Sequence, residues 1–236
     1  APPWFTAIKT CPPPHQAGSG PRTYDHGMTD YARRERSELA DLLLQVGPDA
    51  PTLCTGWTAR DLAAHLVVRE RRPDASLAVL VPPLAGHGEH VRKEKAARPY
   101  EQVVAEVRNP PWWSPVSNRV TDEMFNALEF FIHHEDVRRG APGFQPRVLD
   151  TGEQEAIWNA VKLTARIGLR RLHVPVLLRA PGFGEVHVGG DVPQATLTAE
   201  PGELALFVSG RQRAARVEID APAETAEALR TAKLSM

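Results

Sequence analysis

The sequence predicts an α+β protein, in which a helical bundle is followed by a small α+β domain. Apolar residues recur at helical spacing through most of residues 28–173, as expected of helices that bury one face. Beyond Pro175 the apolar segments become short and are separated by glycine and proline, a pattern typical of strands and turns. A chain of 236 residues with 42% hydrophobic and 24% charged residues is sufficient for a real core.

Residues 1–27 are expected to be a disordered or non-native extension. They are rich in proline and show no sustained hydrophobic period, so they lack the apolar face that a packed element needs. They also lack the basic segment followed by an apolar segment that marks a secretory signal. Amphipathic sequence begins directly after Met28, and we therefore expect Met28 to be the biological start.

Five helices are predicted before residue 173. In the first, Leu39 and Leu43 recur at helical spacing between charged residues, and the segment 47–51 (GPDAP) ends it. The second begins at Thr58, which forms with Asp61 the pattern of a capping box. The predicted helices cover residues 29–46, the segment from 58 through His65, residues 100–107, about 121–139 and about 151–172.

Two segments between these helices are predicted to be loops. The segment 86–90 (GHGEH) contains two glycines and has no apolar period. The segment 109–115 (NPPWWSP) contains three prolines, which exclude a helix. Its adjacent Trp112 and Trp113 are expected to pack against an apolar surface, as a lid or as a protein contact.

The C-terminal domain, residues 175–236, is predicted to contain four short strands and two helices. The strands are apolar or β-branched segments bounded by turn residues. They are assigned to residues 176–180, 184–188, 194–199 and 216–220, and the helices to residues 203–209 and 222–233.

Composition excludes several classes of function. The formal net charge is −1 with acidic and basic residues interspersed, which is unlike the basic surface of a nucleic-acid-binding protein. The longest apolar run, residues 77–84, contains two prolines and falls short of the roughly 18 residues that span a membrane. Cys11 and Cys54 do not form a disulfide framework, so a reducing cytoplasm is expected. A serine hydrolase is disfavoured because no Gly-x-Ser-x-Gly motif occurs.

Two imidazoles and one carboxylate form a candidate metal site. Glu129 and His133 are four residues apart, so on a helix they project from the same face, and His65 lies on another predicted helix. Such a set leaves coordination positions open, and zinc, nickel, iron or manganese would all accept it. The alternative is that both histidines are ordinary core or surface residues and that the Glu-x-x-x-His spacing arises by chance.

Two arginines follow His65 on the same predicted helix face. Arg69 and Arg72 are four and seven residues further along, which places them near the site provided that the helix continues that far. Paired guanidinium groups there would suit a carboxylate-bearing ligand. The alternative is that they pair with Glu70 and Asp74 on a solvated face.

Further candidates lie near His133 on the same helix. Asp136, three residues on, can accept a hydrogen bond from the His133 ring, although an exposed charge is the alternative. His134 is turned by about 100° and is expected to pack or face solvent.

Two candidates lie outside that helix. The cluster of His87, Glu89 and His90 can reach a metal or act in acid–base catalysis if its loop folds over the site. Cys54 has no histidine or lysine close to it in sequence, and we expect it to be a buried structural cysteine rather than a nucleophile.

These motifs resemble those of a known superfamily. The segment 56–65 (GWTARDLAAH), followed about sixty residues later by Glu129-x-x-x-His133-x-x-Asp136, is similar to the DinB-like proteins, and in particular to their actinobacterial branch related to mycothiol-dependent maleylpyruvate isomerase. The resemblance covers residues 28–173 as a DinB-like four-helix bundle that binds metal, and residues 175–236 as the small domain that follows it. The segment 201–211 (PGELALFVSGR) matches the helix and Gly-Arg signature of that domain.

The resemblance implies a site and a class of chemistry. The family's three metal ligands fall on His65, Glu129 and His133, with zinc as the first choice of ion. In related isomerases the thiol of mycothiol attacks the substrate while the metal activates the thiol or a carbonyl. The subgroup that looks most similar has no assigned activity, so isomerisation itself does not follow.

The expected function is therefore a divalent-metal-binding protein, acting as a thiol-dependent transferase or isomerase on a small electrophile. The alternative is a non-catalytic metal- or ligand-binding regulatory bundle. The implied partners are a small molecule or thiol and, in a dimer, a second copy of the chain.

Overall fold

The computed structural model describes residues 29–76, 85–113, 122–169, 172 and 174–234. The expectations for residues 1–27, Met28 and Cys11 fall outside these ranges. The described residues form helices and strands in the order α1 (Thr29–Val46), α2 (Ala59–Arg71), α3 (Pro73–Ser76), α4 (Ala85–Ala96), α5 (Tyr100–Arg108), α6 (Asp122–Arg138), α7 (Thr151–Gly168), β1 (Val176–Ala180), β2 (Gly184–Val188), β3 (Ala195–Thr198), α8 (Pro201–Val208), β4 (Glu218–Asp220) and α9 (Ala223–Thr231).

The predicted α+β class is confirmed. In the described residues the elements as far as α7 are all helices, and a four-stranded sheet with two further helices follows. The strand order is β2-β1-β3-β4; β1 pairs parallel with β3, and the other two pairings are antiparallel. None of the described helices is long and apolar enough to cross a membrane. The four-helix bundle and the domain limits 28–173 and 175–236 stay predictions.

Helix α6 lies between two hydrophobic cores. Phe130, fully buried, belongs to the core that α6 forms with α1, α2 and α5. Phe131, the next residue, belongs to the core that joins α6 and α7 to the sheet and α8, where Trp158 and Phe207 are also buried. A helix that is apolar on opposite sides is covered on both, so side chains projecting from α6 have a well-fixed backbone.

Helix α2 begins as the sequence predicts. The backbone N–H of Thr58 donates to Oδ2 of Asp61 at 3.0 Å, which satisfies one of the amides left free at a helix start. Leu62 and Leu66 then bury the apolar face of α2 in the first of the two cores. This fixes the rotational setting of α2 and with it the direction of His65.

Of the two predicted loops, 86–90 is wrong, whereas 109–115 lies outside the helices and strands as far as the structure describes it, to residue 113. Residues 86–90 are helical and belong to α4, because Arg92 anchors this helix through ion pairs to Asp61 and Glu89, which outweigh the modest penalty of two glycines. Trp112 is 93% exposed and Trp113 is 49% exposed. The expectation that this pair packs against an apolar surface is therefore wrong for the described part of the segment.

A buried charge network ties α1 to α6 and α7. Glu35 of α1 accepts hydrogen bonds from Arg147 at 2.6 and 3.1 Å and pairs with His134 at 2.9 Å. Although burial opposes it, these partners lower the pKa of Glu35 to about 2. Burial, reinforced by the neighbouring carboxyl of Glu35, raises the pKa of Glu153 on α7 to about 7, and the charge of Arg34 only partly offsets this.

The raised pKa of Glu153 predicts a specific pH dependence of stability. Between about pH 5 and pH 7 the folded protein holds a proton on Glu153 that the unfolded chain has lost, so the free energy of unfolding falls as pH rises, on the order of 2 kcal/mol for this group. Glu153→Gln removes that slope. Denaturant unfolding at pH 5, 6, 7 and 8 measures it, with exposed Glu155→Gln on the same helix as control; equal slopes in the two variants would contradict the assignment.

Candidate metal centre

The structure brings together the three side chains that the sequence singled out. His133 Nε2 lies 3.3 Å from Glu129 Oε1, one helical turn away on α6. His65 Nε2, from α2, lies 3.6 Å from the same oxygen. The potential ligand atoms of all three side chains lie within 4.8 Å of one another. Two facing helices thus converge on one small volume, although a metal role for these residues stays a prediction.

This arrangement fits a divalent metal. For metal–ligand bonds of about 2.0–2.2 Å, tetrahedral ligand atoms are roughly 3.3–3.6 Å apart, and the distances from Glu129 Oε1 to the two histidine nitrogens, 3.3 and 3.6 Å, match that spacing. Two imidazole nitrogens and one carboxylate oxygen form a donor set typical of zinc sites that keep an open position. The side chains of His65 and Glu129 are 25% and 22% exposed, so solvent reaches one side.

The ring of His133 is oriented by Asp136. Nδ1 of His133 donates to Oδ2 of Asp136 at 2.9 Å, and the side chain of Asp136 is fully buried. The alternative of an exposed charge at Asp136 is therefore wrong. A carboxylate that holds one ring nitrogen protonated leaves the other free to bind a metal, and such partners are a regular feature of metal-binding histidines.

Asp136 is in turn held by Arg211, which follows α8. Nε of Arg211 donates to Oδ1 of Asp136 at 2.9 Å and Nη2 donates to Oδ2 at 2.7 Å. Although burial opposes it, the hydrogen bonds from His133 and Arg211 hold the pKa of Asp136 well below its usual range. Directly before Arg211 the chain turns at Gly210, whose φ is +88° and where a Cβ would lie 2.1 Å from the Leu234 carbonyl oxygen.

The role of Arg211 does not follow from the local sequence. The Gly-Arg pair belongs to the segment 201–211, whose resemblance to the family implies no contact for the arginine. No local spacing rule links Arg211 to Asp136, because the two residues lie 75 positions apart. The available signal was an arginine directly after a helix-ending glycine, a position suited to reach away from its own helix.

Cys54 has partners that its sequence context does not reveal. It is partly exposed; its Sγ donates to Oδ2 of Asp136 at 3.1 Å and lies 3.6 Å from Nη2 of Arg211. The expectation that Cys54 is buried is therefore wrong. With His133 and Asp136 it forms a second group of potential ligands, but there Nδ1 of His133 is already engaged.

Of the two arginines predicted to lie beside the site, the structure places only Arg69 there. Nε of Arg69 lies 3.4 Å from Oε1 of Glu129, which places a positive charge beside the candidate ligand. Arg72 is exposed and binds Asp74 through two hydrogen bonds of 2.9 and 2.8 Å, as in the solvated-face alternative. The reason is local: α2 ends at Arg71, and Arg72 leaves helical geometry with φ −131° and ψ 76°.

Burial and hydrogen bonding set the charges of the three groups. Burial lowers the pKa of His65, with the positive charge of His133 adding to the effect. Burial alone would raise the pKa of Glu129, but hydrogen bonds from His133 and His65 hold it well below its usual range. Burial is likewise outweighed at His133, whose pKa is raised well above its usual value by hydrogen bonds to Asp136, Cys54 and Glu129. A metal that binds here must displace a proton from His133, so its affinity falls with falling pH.

The remaining candidates have other partners. His87 on α4 pairs with Asp74 at 3.0 Å, and Glu89 binds Arg92. Among the described residues, the groups able to hold a metal include none of His87, Glu89 and His90.

His134 lies in a further group of potential ligands, with Glu35 and Glu38. There Arg147 already binds both carboxylate oxygens of Glu35. The guanidinium of Arg147 thus already supplies the positive charge that a metal would supply to Glu35. His134 is 4% exposed, so it packs rather than facing solvent.

Comparisons with known proteins place the fold. No protein-family model matches the sequence, and a search of curated proteins finds no match. Among solved structures, the chain is similar to the crystal structure of the mycothiol-dependent maleylpyruvate isomerase, with a TM-score of 0.50 and 17% identity over 83% of this chain and 93% of that chain. At this identity the likeness establishes the fold alone. The resemblance expected from the motifs is thereby confirmed at that level: the protein has the fold of mycothiol-dependent maleylpyruvate isomerase.

Proposed function

We propose that the protein binds one divalent metal, zinc in the first place, through His65, Glu129 and His133. We further propose that it uses the site in a thiol-dependent transfer or isomerisation of a small electrophile, with mycothiol as co-substrate. The observation that carries the proposal is the convergence of two imidazole nitrogens on Glu129 Oε1, at 3.3 and 3.6 Å, beside solvent. The solved structure of similar fold is described as mycothiol-dependent, which motivates the choice of thiol.

The chain's own residues have separable tasks in this proposal. When bound, a divalent metal lowers the pKa of a thiol or polarises a carbonyl. Asp136 holds the proton on Nδ1 of His133, so that Nε2 is directed to the site. Arg69 places its guanidinium beside Glu129, where it also suits an anionic group on a ligand that enters from the exposed side.

Three protein ligands favour catalysis over a purely structural metal. Structural zinc sites are closed by four protein ligands, whereas catalytic sites keep a position for water or substrate. The exposure of His65 and Glu129 supplies access to that position. The alternative of a non-catalytic regulatory bundle has no such observation in its favour. The expectations of a dimer and of a cytoplasmic location stay predictions.

Metal content tests the ligands. Purified protein is expected to contain about one divalent ion per chain, and His65→Ala and His133→Ala should each lose it with little change in helix content, because neither side chain belongs to the two hydrophobic cores. Elemental analysis and far-ultraviolet circular dichroism measure the two quantities. His87→Ala is the control, since His87 pairs with Asp74 on α4. An ion-free wild type, or equal loss in the control, would refute the ligand assignment.

The hydrogen bond from His133 to Asp136 predicts a second effect. Asp136→Asn and Arg211→Met leave all three ligands in place but loosen the ring of His133, and we expect metal affinity to fall about 10- to 100-fold. Competition with a chromophoric chelator measures it, once an unfolding curve has shown each variant to be folded. Arg179→Met is a matched control, because Arg179 forms an exposed ion pair with Glu185 on the sheet. Wild-type affinity in Asp136→Asn would argue against the positioning of His133 by Asp136.

Turnover tests the catalytic part of the proposal. Metal-loaded protein should consume the thiol of mycothiol in the presence of a reactive electrophile, whereas the metal-free protein and metal-free His65→Ala should not. Thiol titration over a panel of α,β-unsaturated acids, epoxides and alkyl halides measures transfer, and the NMR spectrum of the electrophile measures isomerisation, in which the thiol is regenerated. A protein that retains its ion but shows neither metal-dependent thiol loss nor metal-dependent isomerisation across that panel would instead favour the non-catalytic alternative.

A further inference from the structure

The two histidines of the site are fixed in different ways. Nδ1 of His133 is held by Asp136 at 2.9 Å. Among the described residues, His65 has no such hydrogen bond: its Nε2 faces Glu129, and its ring packs against the rings of Trp57 and His133, each with centroids 5.2 Å away. Apart from the contact of Nε2 with Glu129 at 3.6 Å, the orientation of His65 therefore depends on aromatic packing.

Trp57 is held by the backbone before α2. Its N–H donates to the Cys54 carbonyl at 2.9 Å, and its own carbonyl accepts from the hydroxyl of Thr52 at 2.9 Å. These bonds fix the main chain and leave the indole to be oriented by its ring contacts. Besides His65, the guanidinium of Arg92 lies over the indole, 4.7 Å from the ring centroid, in the range of a cation–π interaction.

Arg92 is itself rigidly anchored on α4. Its side chain is 8% exposed. Nη1 donates to Oδ1 of Asp61 at 2.5 Å, while Nε and Nη2 donate to the two oxygens of Glu89 at 2.9 and 2.8 Å. A guanidinium held by two carboxylates is a directional contact that a lysine cannot reproduce. Through Asp61 the same side chain also grips the start of α2, the helix that carries His65.

We propose that Arg92 is a positioning residue of the site: fixed by Asp61 and Glu89, it holds the indole of Trp57 against the imidazole of His65 and so sets the orientation of that ring. The consequence for metal binding rests on the proposed function, whereas the orientation itself is a property of the metal-free protein. Helix α4, which carries none of the three ligands, thereby becomes part of the site.

The first arm of the test needs no metal. The ring protons of His65 lie beside the indole, whose ring current displaces their NMR resonances, and His65→Ala identifies those resonances in metal-free protein at one fixed pH. Arg92→Met is expected to move them because the indole is released. Arg60→Met is the matched control: Arg60 lies over the ring of Tyr100, 5.5 Å from its centroid, and donates to the carbonyls of Ala96 and Arg98.

The second arm uses Co²⁺ as the probe. Arg92→Met should weaken Co²⁺ binding about 10-fold, in the range found for groups that orient a metal ligand, and should alter the visible absorption of the bound ion, which reports coordination geometry. Arg60→Met should match wild type in both. Arg92→Lys keeps the charge but not the fork of hydrogen bonds, and it serves if Arg92→Met does not fold; it should shift the His65 resonances in the same sense.

The outcomes separate this inference from the proposed function. Unchanged His65 resonances in the folded Arg92 variants would overturn it. Displaced resonances with wild-type Co²⁺ affinity and spectrum would show that the orientation set by Arg92 has no effect on binding, which overturns the role in metal binding. If wild type itself binds no Co²⁺, the proposed function fails, and the resonances alone still decide whether Arg92 orients His65.

Discussion

The bidentate ion pair between Arg211 and Asp136 is the interaction on which the rest of the site depends. Asp136 is fully buried, and an unpaired carboxylate there would be strongly unfavourable. Arg211, Nδ1 of His133 and Sγ of Cys54 all donate to it. This ion pair joins the segment after α8 to α6, and it also fixes the carboxylate that holds the proton on Nδ1 of His133. The packing of the segment after α8 and the orientation of His133 therefore depend on the same contact.

Helix α6 converts this contact into a defined geometry. Glu129 and His133 are one turn apart on α6, and Phe130 and Phe131 between them enter the two different cores. A helix packed on opposite sides can neither rotate nor shift without opening one of the cores. Functional groups on such elements are held more precisely than groups on loops. The distance from His133 Nε2 to Glu129 Oε1 is therefore set by the packing of the whole helical region.

Sequence reasoning succeeded where the signal is local. The spacing of Glu129 and His133, and the box of Thr58 and Asp61, involve residues within one turn, so helical geometry alone relates them. It failed for α4, because the glycines in 86–90 argue against a helix while the compensating ion pair from Arg92 to Asp61 spans 31 positions. The prediction for Cys54 is wrong for the same reason, since Asp136 and Arg211, which contact it, are distant from it in sequence. Partners of buried charges are set by tertiary structure, and periodicity carries no information about them.

The two histidines differ in how firmly they are held and in how far they are exposed to solvent. Hydrogen bonds to charged groups contribute about 1.5–3 kcal/mol, whereas an aromatic ring pair contributes about 0.5–1.5 kcal/mol beyond its buried area. His133 is held by the buried carboxylate of Asp136 at 2.9 Å and its side chain is only 9% exposed, whereas His65 has ring packing and a longer contact with Glu129, at 3.6 Å, and is 25% exposed. A molecule that enters from solvent meets the more weakly held ring first. The more accessible ring is thus the one whose orientation depends on Trp57 and, through the proposed role of Arg92, on α4.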